Sequence, residues 1–147
     1  MLPEDAPRLG FSDRVGWGNY AELEGLQEER LQKLVARAWE LQKGPAKVKL
    51  EIVWMGEVEH NRLHERFLND PTPTDVITFP YDDDDLFGEI VVNLDMAYSQ
   101  ATSRKIDMRD EVALYVVHGA LHLLGLEDAT DEQRLEMRAA ESAVLQS

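Results

Sequence analysis

The segment from Met108 to Leu124 constrains the fold most, because its apolar residues cover nearly the whole circumference of a helix. A helix that is apolar on almost every side has to be buried, so the other elements must surround it. Gly125, which follows, is typical of a helix C-terminus. The sequence therefore predicts a buried central helix that ends at Gly125. Its apolar residues are Val112, Leu114, Tyr115, Val116, Val117, Leu121, Leu123 and Leu124.

The remaining periodicity predicts an α+β fold in one domain over residues 1–147, with a weakly patterned segment over residues 1–20 that could hold a short strand. Apolar and charged residues alternate from Val48 to Trp54, as in a half-buried strand. Thr130 followed by Gln133 matches a capping box and predicts the start of the last helix. The predicted helices cover 22–43, 57–68, 108–124 and 131–145, and the predicted strands cover 48–54, 76–79 and 88–92.

Composition excludes several classes of chemistry. The chain has no cysteine, so any transition-metal site must use His, Asp and Glu. The polar N-terminus does not resemble a signal peptide, and no apolar run approaches the roughly 20 residues that span a bilayer. We therefore expect a cytoplasmic protein with no membrane contact. The net charge of −14 disfavours long-range attraction to nucleic acid, so a nucleic-acid substrate would need a local basic patch.

His118 and His122 are the candidate catalytic residues, because two histidines four apart project from one face of a helix. Both imidazoles can reach Zn²⁺ at about 2.0–2.1 Å, and three ligands leave a position open for water. Gly125 lets the chain turn back, so that Asp128, or else Glu127, approaches the same ion. The alternative is two core histidines, but an apolar helix supplies few polar partners for them. We predict a metal site of His118, His122 and Asp128.

The spacing is similar to the H-E-x-x-H helix of zinc peptidases, in which the Glu acts as general base. Gly119 stands at the position of that Glu. Ordinary peptidase chemistry is therefore disfavoured.

Three blocks of the chain resemble the YbeY-type endoribonuclease family. The family hallmark, H-G-x-L-H-L-x-G-x-D-H, is matched by His118, Gly119, Leu121, His122, Leu123 and Gly125. A second block, T-D-V-[LI]-[ST]-F-P after a Pro-rich turn, is matched over residues 73–80. A third, G-[DE]-I-V-[IV], is matched over residues 88–92. The blocks occur in the family's order, and together they are highly specific.

This resemblance implies a zincin-like α+β domain, with a small mixed sheet of about four strands packed against helices and the metal site on the buried central helix. It implies a single-strand-specific, zinc-dependent endoribonuclease. Its partners would be single-stranded RNA, rRNA and the ribosome, in maturation of the 3′ end of small-subunit (16S) rRNA and in ribosome quality control.

The chain departs from the family pattern at two positions. The third ligand in the family is usually His, ten residues after the first, and here that position is Asp128. Aspartate is a competent zinc ligand, so we still expect metal binding. The family also places an Arg where this chain has Leu68. Arg62 and Arg66 could supply that charge from the preceding helix, or they could simply solvate its surface.

Candidate RNA contacts are the basic residues near the predicted site. They are Arg62, Arg66, Arg104, Lys105 and Arg109, the last three just before the central helix. The alternative for each is an ordinary solvated cation.

Two further clusters are interpreted as surface features. His60 and His64 are also four apart, but they lie in a polar stretch with no obvious third ligand, so we expect surface histidines. The run Asp82–Asp85 could bind a hard cation, but a solvated turn is the better interpretation.

The predicted chemistry is metal-assisted cleavage of a phosphodiester, with either a metal-activated water or the RNA 2′-hydroxyl as nucleophile and the general base unassigned. Two rival functions are a zincin-type metallopeptidase and a non-catalytic ribosome-assembly factor with a bound metal. Gly119 disfavours the first. A set of only three ligands disfavours the second, because structural zinc sites are closed by four. The oligomeric state and the RNA cleavage site are not predicted.

Overall fold

The computed structural model describes residues 2–15, 20, 27–81, 83 and 85–146. In these ranges the chain forms four strands and five helices. In chain order they are β1 (Arg8–Arg14), α1 (Glu28–Leu41), β2 (Lys49–Met55), α2 (Glu57–Leu68), β3 (Val76–Pro80), β4 (Gly88–Asn93), α3 (Leu94–Arg104), α4 (Met108–Leu123) and α5 (Asp131–Leu145).

The four strands form one mixed sheet in the order β1-β2-β4-β3. β1 pairs parallel to β2, and β2 pairs parallel to β4. β3 pairs antiparallel to β4, with Val76 opposite Val92 and Pro80 opposite Gly88. The α+β class and the four-stranded mixed sheet are therefore confirmed, and β1 supplies the short strand suggested for the first 20 residues.

The two faces of the sheet are covered unequally. Side chains alternate between the faces along each strand. Leu50, Ile52 and Ile90 point to one face, where they pack with α1, α3 and α4. Val53 and Val91 point to the opposite face, where α2 packs through Leu63. α5 packs outside the first layer, against α1 and α4. α4, which carries His118 and His122, and the polar helix α2 thus lie on opposite sides of the sheet.

α4 is the central helix that the sequence predicted. It contacts α1, α3 and α5 as well as β3 and β4. Asp107 caps its N-terminus by accepting a hydrogen bond from the Arg109 N–H at 2.8 Å. A Cβ on Gly119 would lie 2.6 Å from Cγ2 of Ile90, so this glycine lets the helix approach the sheet closely. Gly125 has a φ of 105°, a conformation that ends the helix at little cost only for glycine.

One predicted helix is described only in part, and one helix of the structure was not predicted. α1 begins at Glu28, and the predicted part from Glu22 to Leu26 lies outside the described residues. α3 was not predicted. Its buried residues after Leu94 are Ala97 and Ala101, which are too small to produce a clear apolar stripe. Asn93 caps it, because its side chain accepts a hydrogen bond from the Met96 N–H at 3.0 Å.

The acidic run between β3 and β4 forms an exposed turn where it is described. Asp83 and Asp85 are exposed, and the Asp85 N–H donates to Oδ1 of Asp83 at 2.8 Å. Asp82 and Asp84 lie outside the described residues.

Among the described residues, no helix has both the length and the apolar character needed to cross a membrane.

Candidate metal centre

Three predicted residues meet at the C-terminal end of α4. Nε2 of His118 and Nε2 of His122 are 3.0 Å apart. Oδ2 of Asp128 lies 3.3 Å from the first nitrogen and 3.4 Å from the second. Ligands at about 2.0–2.1 Å from a tetrahedral ion are separated from one another by roughly 3.3 Å. The three atoms therefore form one face of a tetrahedron of the size that zinc requires.

The other ring nitrogens of the two histidines are already bonded. Nδ1 of His122 donates to the Leu126 carbonyl oxygen at 2.9 Å, and Nδ1 of His118 donates to Oε2 of Glu141 at 2.6 Å. Each Nε2 of a neutral imidazole therefore presents a lone pair. Two lone pairs 3.0 Å apart, with a carboxylate beside them, repel one another unless a cation or a proton lies between. The donor set fits a divalent metal better than it fits two core histidines.

The loop after α4 places Asp128. The Leu126 N–H donates back to the Leu121 carbonyl at 3.0 Å, which closes the helix end around Gly125. On the far side of Asp128, the predicted capping box of Thr130 and Gln133 is present, and it opens α5. Arg134 adds a bond to the Asp128 carbonyl at 3.3 Å. The loop is thus held at both ends.

The geometry favours Asp128 over its neighbour as the third ligand. Among the described residues, His118, His122 and Asp128 form the one group of three or more potential metal ligands whose ligand atoms all lie within 4.8 Å of one another. Glu127, the predicted fallback, is exposed and is not part of this group. The Asp128 side chain is 43% exposed, so the centre is open to solvent on its side. This is the arrangement of a catalytic site rather than a closed structural one.

Glu141 is a site residue that the sequence reasoning missed. It lies on α5, and its side chain is only 14% exposed. A carboxylate that accepts the Nδ1 proton of a ligating histidine fixes the ring orientation and makes the ligand more basic. The sequence contained a signal, since Glu141 lies four residues after Met137 and three before Val144, the buried residues of α5. An acid on an otherwise apolar helix face indicates a buried polar partner.

The electrostatic surroundings of His118 are strongly negative. Burial is the largest single influence, and it lowers the pKa of the imidazole by desolvating it; the hydrogen bond to Glu141 is the largest of the influences that raise it. The charges of Asp75, Glu141 and Asp128 act in the same direction, so the pKa of His118 lies above its ordinary value. Surroundings that favour a proton on the ring also favour a metal cation.

The second histidine pair is not on the surface, which corrects the prediction for His60 and His64. His60 is fully buried, and its Nε2 donates to the Val91 carbonyl at 3.0 Å. His64 is buried as well, and its Nδ1 donates to the Thr72 carbonyl at 2.8 Å. Although the sequence of α2 is polar, both imidazole rings lie between this helix and its neighbours, His60 against the sheet and His64 against the loop that follows α2. Within the described chain they belong to no group of three metal ligands.

The predicted RNA contacts fall into two groups. Arg62 and Arg66 lie on α2, across the sheet from α4. The other three lie where α3 meets α4. Arg109 is bonded to Asp107 at 2.7 Å, and Lys105 is the residue after α3, with a φ of 57°. The third residue, Arg104, is the last residue of α3, and it forms an ion pair with Glu111 of α4.

The fold and the site together define an α+β protein with an open candidate metal site of two histidines and an aspartate at the end of a buried helix. The model of the family "Endoribonuclease YbeY" matches residues 18–147, which include His118, His122 and the Asp128 loop. The chain therefore belongs to the endoribonuclease YbeY family, as its sequence blocks indicated.

Individual relatives agree with this assignment. Endoribonuclease YbeY of Thermobifida fusca is 30% identical over 129 residues, which cover 80% of this chain and 83% of the relative. The corresponding Protochlamydia amoebophila protein is 42% identical over 85 residues, but these span only 57% of its own length and 54% of this chain. The solution structure of a Thermotoga maritima protein superposes with a TM-score of 0.58 at 26% identity, covering 95% of this chain and 89% of that one.

Proposed function

We propose that this chain is a single-strand-specific, metal-dependent endoribonuclease. The observation that carries the proposal is the triangle formed by Nε2 of His118, Nε2 of His122 and Oδ2 of Asp128, in a chain of the YbeY family. Two imidazoles and one carboxylate, open on one side, are the donors of a catalytic zinc site, so zinc is the proposed ion. The proposed cellular substrate is the 3′ end of small-subunit rRNA, in maturation and ribosome quality control, with the ribosome as partner and the cytoplasm as location.

In this mechanism His118, His122 and Asp128 hold the ion. A bound zinc ion supplies a Lewis acid for a phosphoryl oxygen and lowers the pKa of a bound water toward about 7. Glu141 keeps the Nδ1 proton of His118 in place, and the Leu126 carbonyl does the same for His122. These two hydrogen bonds keep each Nε2 unprotonated and aimed at the ion.

RNA binding has to overcome the net charge of −14. Of the five candidate contacts, Arg104 has the strongest structural support, because it is both exposed and held in place by Glu111. Lys105 lies in the connection between α3 and α4, and Arg109 lies in the first turn of α4, so both would add to a local basic patch. Arg62 and Arg66 would contact RNA only where it passes the opposite side of the sheet.

The rival functions are less well supported. In H-E-x-x-H peptidases the residue after the first histidine is the general base. Here that residue is Gly119, and a Cβ at this position would meet Ile90 at 2.6 Å, so the packing leaves no room for a side chain. A non-catalytic factor with a structural metal would be expected to close its site with a fourth ligand, whereas Asp128 is 43% exposed.

Cleavage of defined RNAs tests the proposal. Zinc-loaded wild-type protein, His118→Ala and Glu127→Ala are purified in parallel and incubated with a single-stranded RNA, its duplex and an unstructured peptide. The expected result is cleavage of the single strand by wild type and Glu127→Ala, with neither cleavage nor metal in His118→Ala. Equal cleavage by His118→Ala would reveal a contaminating nuclease and contradict the proposal. Cleavage of the peptide alone would favour the peptidase.

A further inference from the structure

A polar cavity lies beside α4, the helix that carries His118 and His122. It has a volume of about 420 Å³, and its lining includes Asp75, Gln100, Arg104, Glu111 and Tyr115. The last two precede the ligand His118 on α4 by seven and three residues, which places them on the same helix face. At 1.5 Å per residue, Tyr115 and Glu111 lie about 4.5 Å and about 10 Å from His118 along the helix axis. Its size lies within the usual range of small-ligand sites.

Asp75 presents an acceptor oxygen that none of the described residues uses. Its Oδ1 accepts hydrogen bonds from the Val76 N–H at 2.8 Å and from Oγ1 of Thr74 at 3.3 Å. Its backbone carbonyl accepts from the N–H of buried Asn93 at 2.9 Å, so the residue is held in place. Within the described part of the chain, Oδ2 has no partner. A carboxylate oxygen can only accept, so it suits a ligand that presents a hydroxyl donor.

Arg104 presents donors to the same cavity. Its Nη1 contacts both carboxylate oxygens of Glu111, at 3.1 and 3.2 Å. The Glu111 side chain is only 3% exposed, whereas that of Arg104 is 55% exposed. The ion pair neutralises Glu111 and fixes the guanidinium, and Nε and Nη2 are left to bind an anion such as phosphate. The lining of the cavity thus contains both a hydroxyl acceptor, Asp75, and an anion donor, Arg104.

We propose that this cavity binds the ribonucleotide next to the scissile phosphate, with Asp75 accepting a hydrogen bond from the ribose 2′-hydroxyl and Arg104 donating to a phosphate. The 2′-hydroxyl is the group by which proteins distinguish RNA from DNA, and a carboxylate is a common acceptor for it. The apolar side chains of Met96 and Leu114 in the lining supply a surface for the base. This inference rests on the proposed function and adds to it the residue that selects ribose.

Binding, rather than cleavage, tests the inference, because cleavage could itself require the 2′-hydroxyl as nucleophile. The affinities of the zinc-loaded full chain for the four ribonucleoside 5′-monophosphates and their 2′-deoxy counterparts are measured by NMR titration. The variants are Asp75→Asn, which replaces the free oxygen by a donor, and Arg104→Gln, which can still bond Glu111. Asp110→Asn is the matched control, since Asp110 is an exposed acid outside the cavity lining. Thermal unfolding verifies that each variant is folded.

We expect at least one ribonucleotide to bind wild type and the control about tenfold more tightly than its deoxy counterpart, as a hydrogen bond to a charged group predicts. Asp75→Asn should bring the ratio of the two affinities, ribonucleotide to deoxyribonucleotide, close to one. Arg104→Gln should weaken the binding of both nucleotides equally. Equal affinities in wild type, an unchanged ratio in Asp75→Asn, or no binding at millimolar concentration would overturn the inference.

The same preparations are assayed for RNA cleavage, which separates the two proposals. Cleavage of single-stranded RNA without a ribose preference in binding refutes the ribose site and leaves the nuclease standing. A ribose preference that depends on Asp75, without cleavage, supports the site and refutes the nuclease.

Discussion

Glu141→Gln changes the metal centre without removing a ligand. The substitution keeps the size of the side chain and one oxygen acceptor for Nδ1 of His118, which now lies 2.6 Å from Oε2. It removes the negative charge. The His118 ring then becomes less basic and less firmly oriented, so the affinity for zinc should fall while all three ligand residues remain.

The size of the effect follows from the environment of Glu141. Loss of a partner behind a metal-bound histidine costs 10–100-fold in affinity, or about 1.4–2.7 kcal/mol. A hydrogen bond to a charged group is roughly twice as strong as a neutral one, which suggests a difference of about 1–2 kcal/mol. Since the side chain is only 14% exposed, solvent screens this difference weakly. We expect zinc to bind Glu141→Gln about tenfold more weakly than wild type.

Competition with a chromophoric zinc chelator measures the two dissociation constants directly. Glu136→Gln is the control, because Glu136 is an exposed acid on the same helix. Its affinity should stay within about twofold of wild type. If Glu141→Gln also binds zinc as tightly as wild type, the carboxylate does not support the ligand, and the reasoning from the short Glu141–His118 bond is refuted.

Three other substitutions test the packing around the site. Gly119→Ala should lower the free energy of unfolding by about 1–3 kcal/mol in urea, because its Cβ would lie 2.6 Å from Ile90; an unchanged midpoint would contradict the close approach. Burial lowers the pKa of His60, so the unfolded chain binds a proton more readily and stability falls as the pH drops below about 6.5 toward the folded value. His60→Gln should flatten this pH dependence in denaturant titrations, and identical slopes for the two proteins would argue against it. Thr130→Ala removes the cap of α5 and should lower the free energy of unfolding by about 1 kcal/mol, as measured by thermal unfolding. Zinc binding should weaken too, because the same cap holds the Asp128 loop. A wild-type stability together with a wild-type zinc affinity would show that the cap is unimportant.

The elements governed by local pattern were predicted well. α2 spans Glu57–Leu68, as its sequence indicated, and the Thr130 capping box is present. α4 was predictable because an apolar helix has one stable location, the interior. Two histidines on such a helix then indicated a metal, since an apolar neighbourhood offers few other partners.

The features that were missed depend on tertiary contacts. The polar sequence of α2 gave no indication that His60 and His64 would be buried. The strand residue that binds His60, Val91, lies 31 residues away, and the loop that binds His64 through Thr72 has no pattern that predicts how it folds back. α3 buries small residues such as Ala97, which give a weak helical stripe. Glu141 lies 23 residues from His118, and only the packing of α5 on α4 brings them together.

Metal analysis of wild type, Asp128→Ala and Glu127→Ala tests directly whether Asp128 completes a zinc site with the two histidines. The two variants remove carboxylates from adjacent loop positions, but only Asp128 lies within 3.4 Å of both ligand nitrogens. We expect about one zinc per chain in wild type and in Glu127→Ala, and none retained by Asp128→Ala after dialysis. If wild type takes up no zinc when it is offered, or if Asp128→Ala retains it as firmly as wild type, the three-ligand centre described here is wrong.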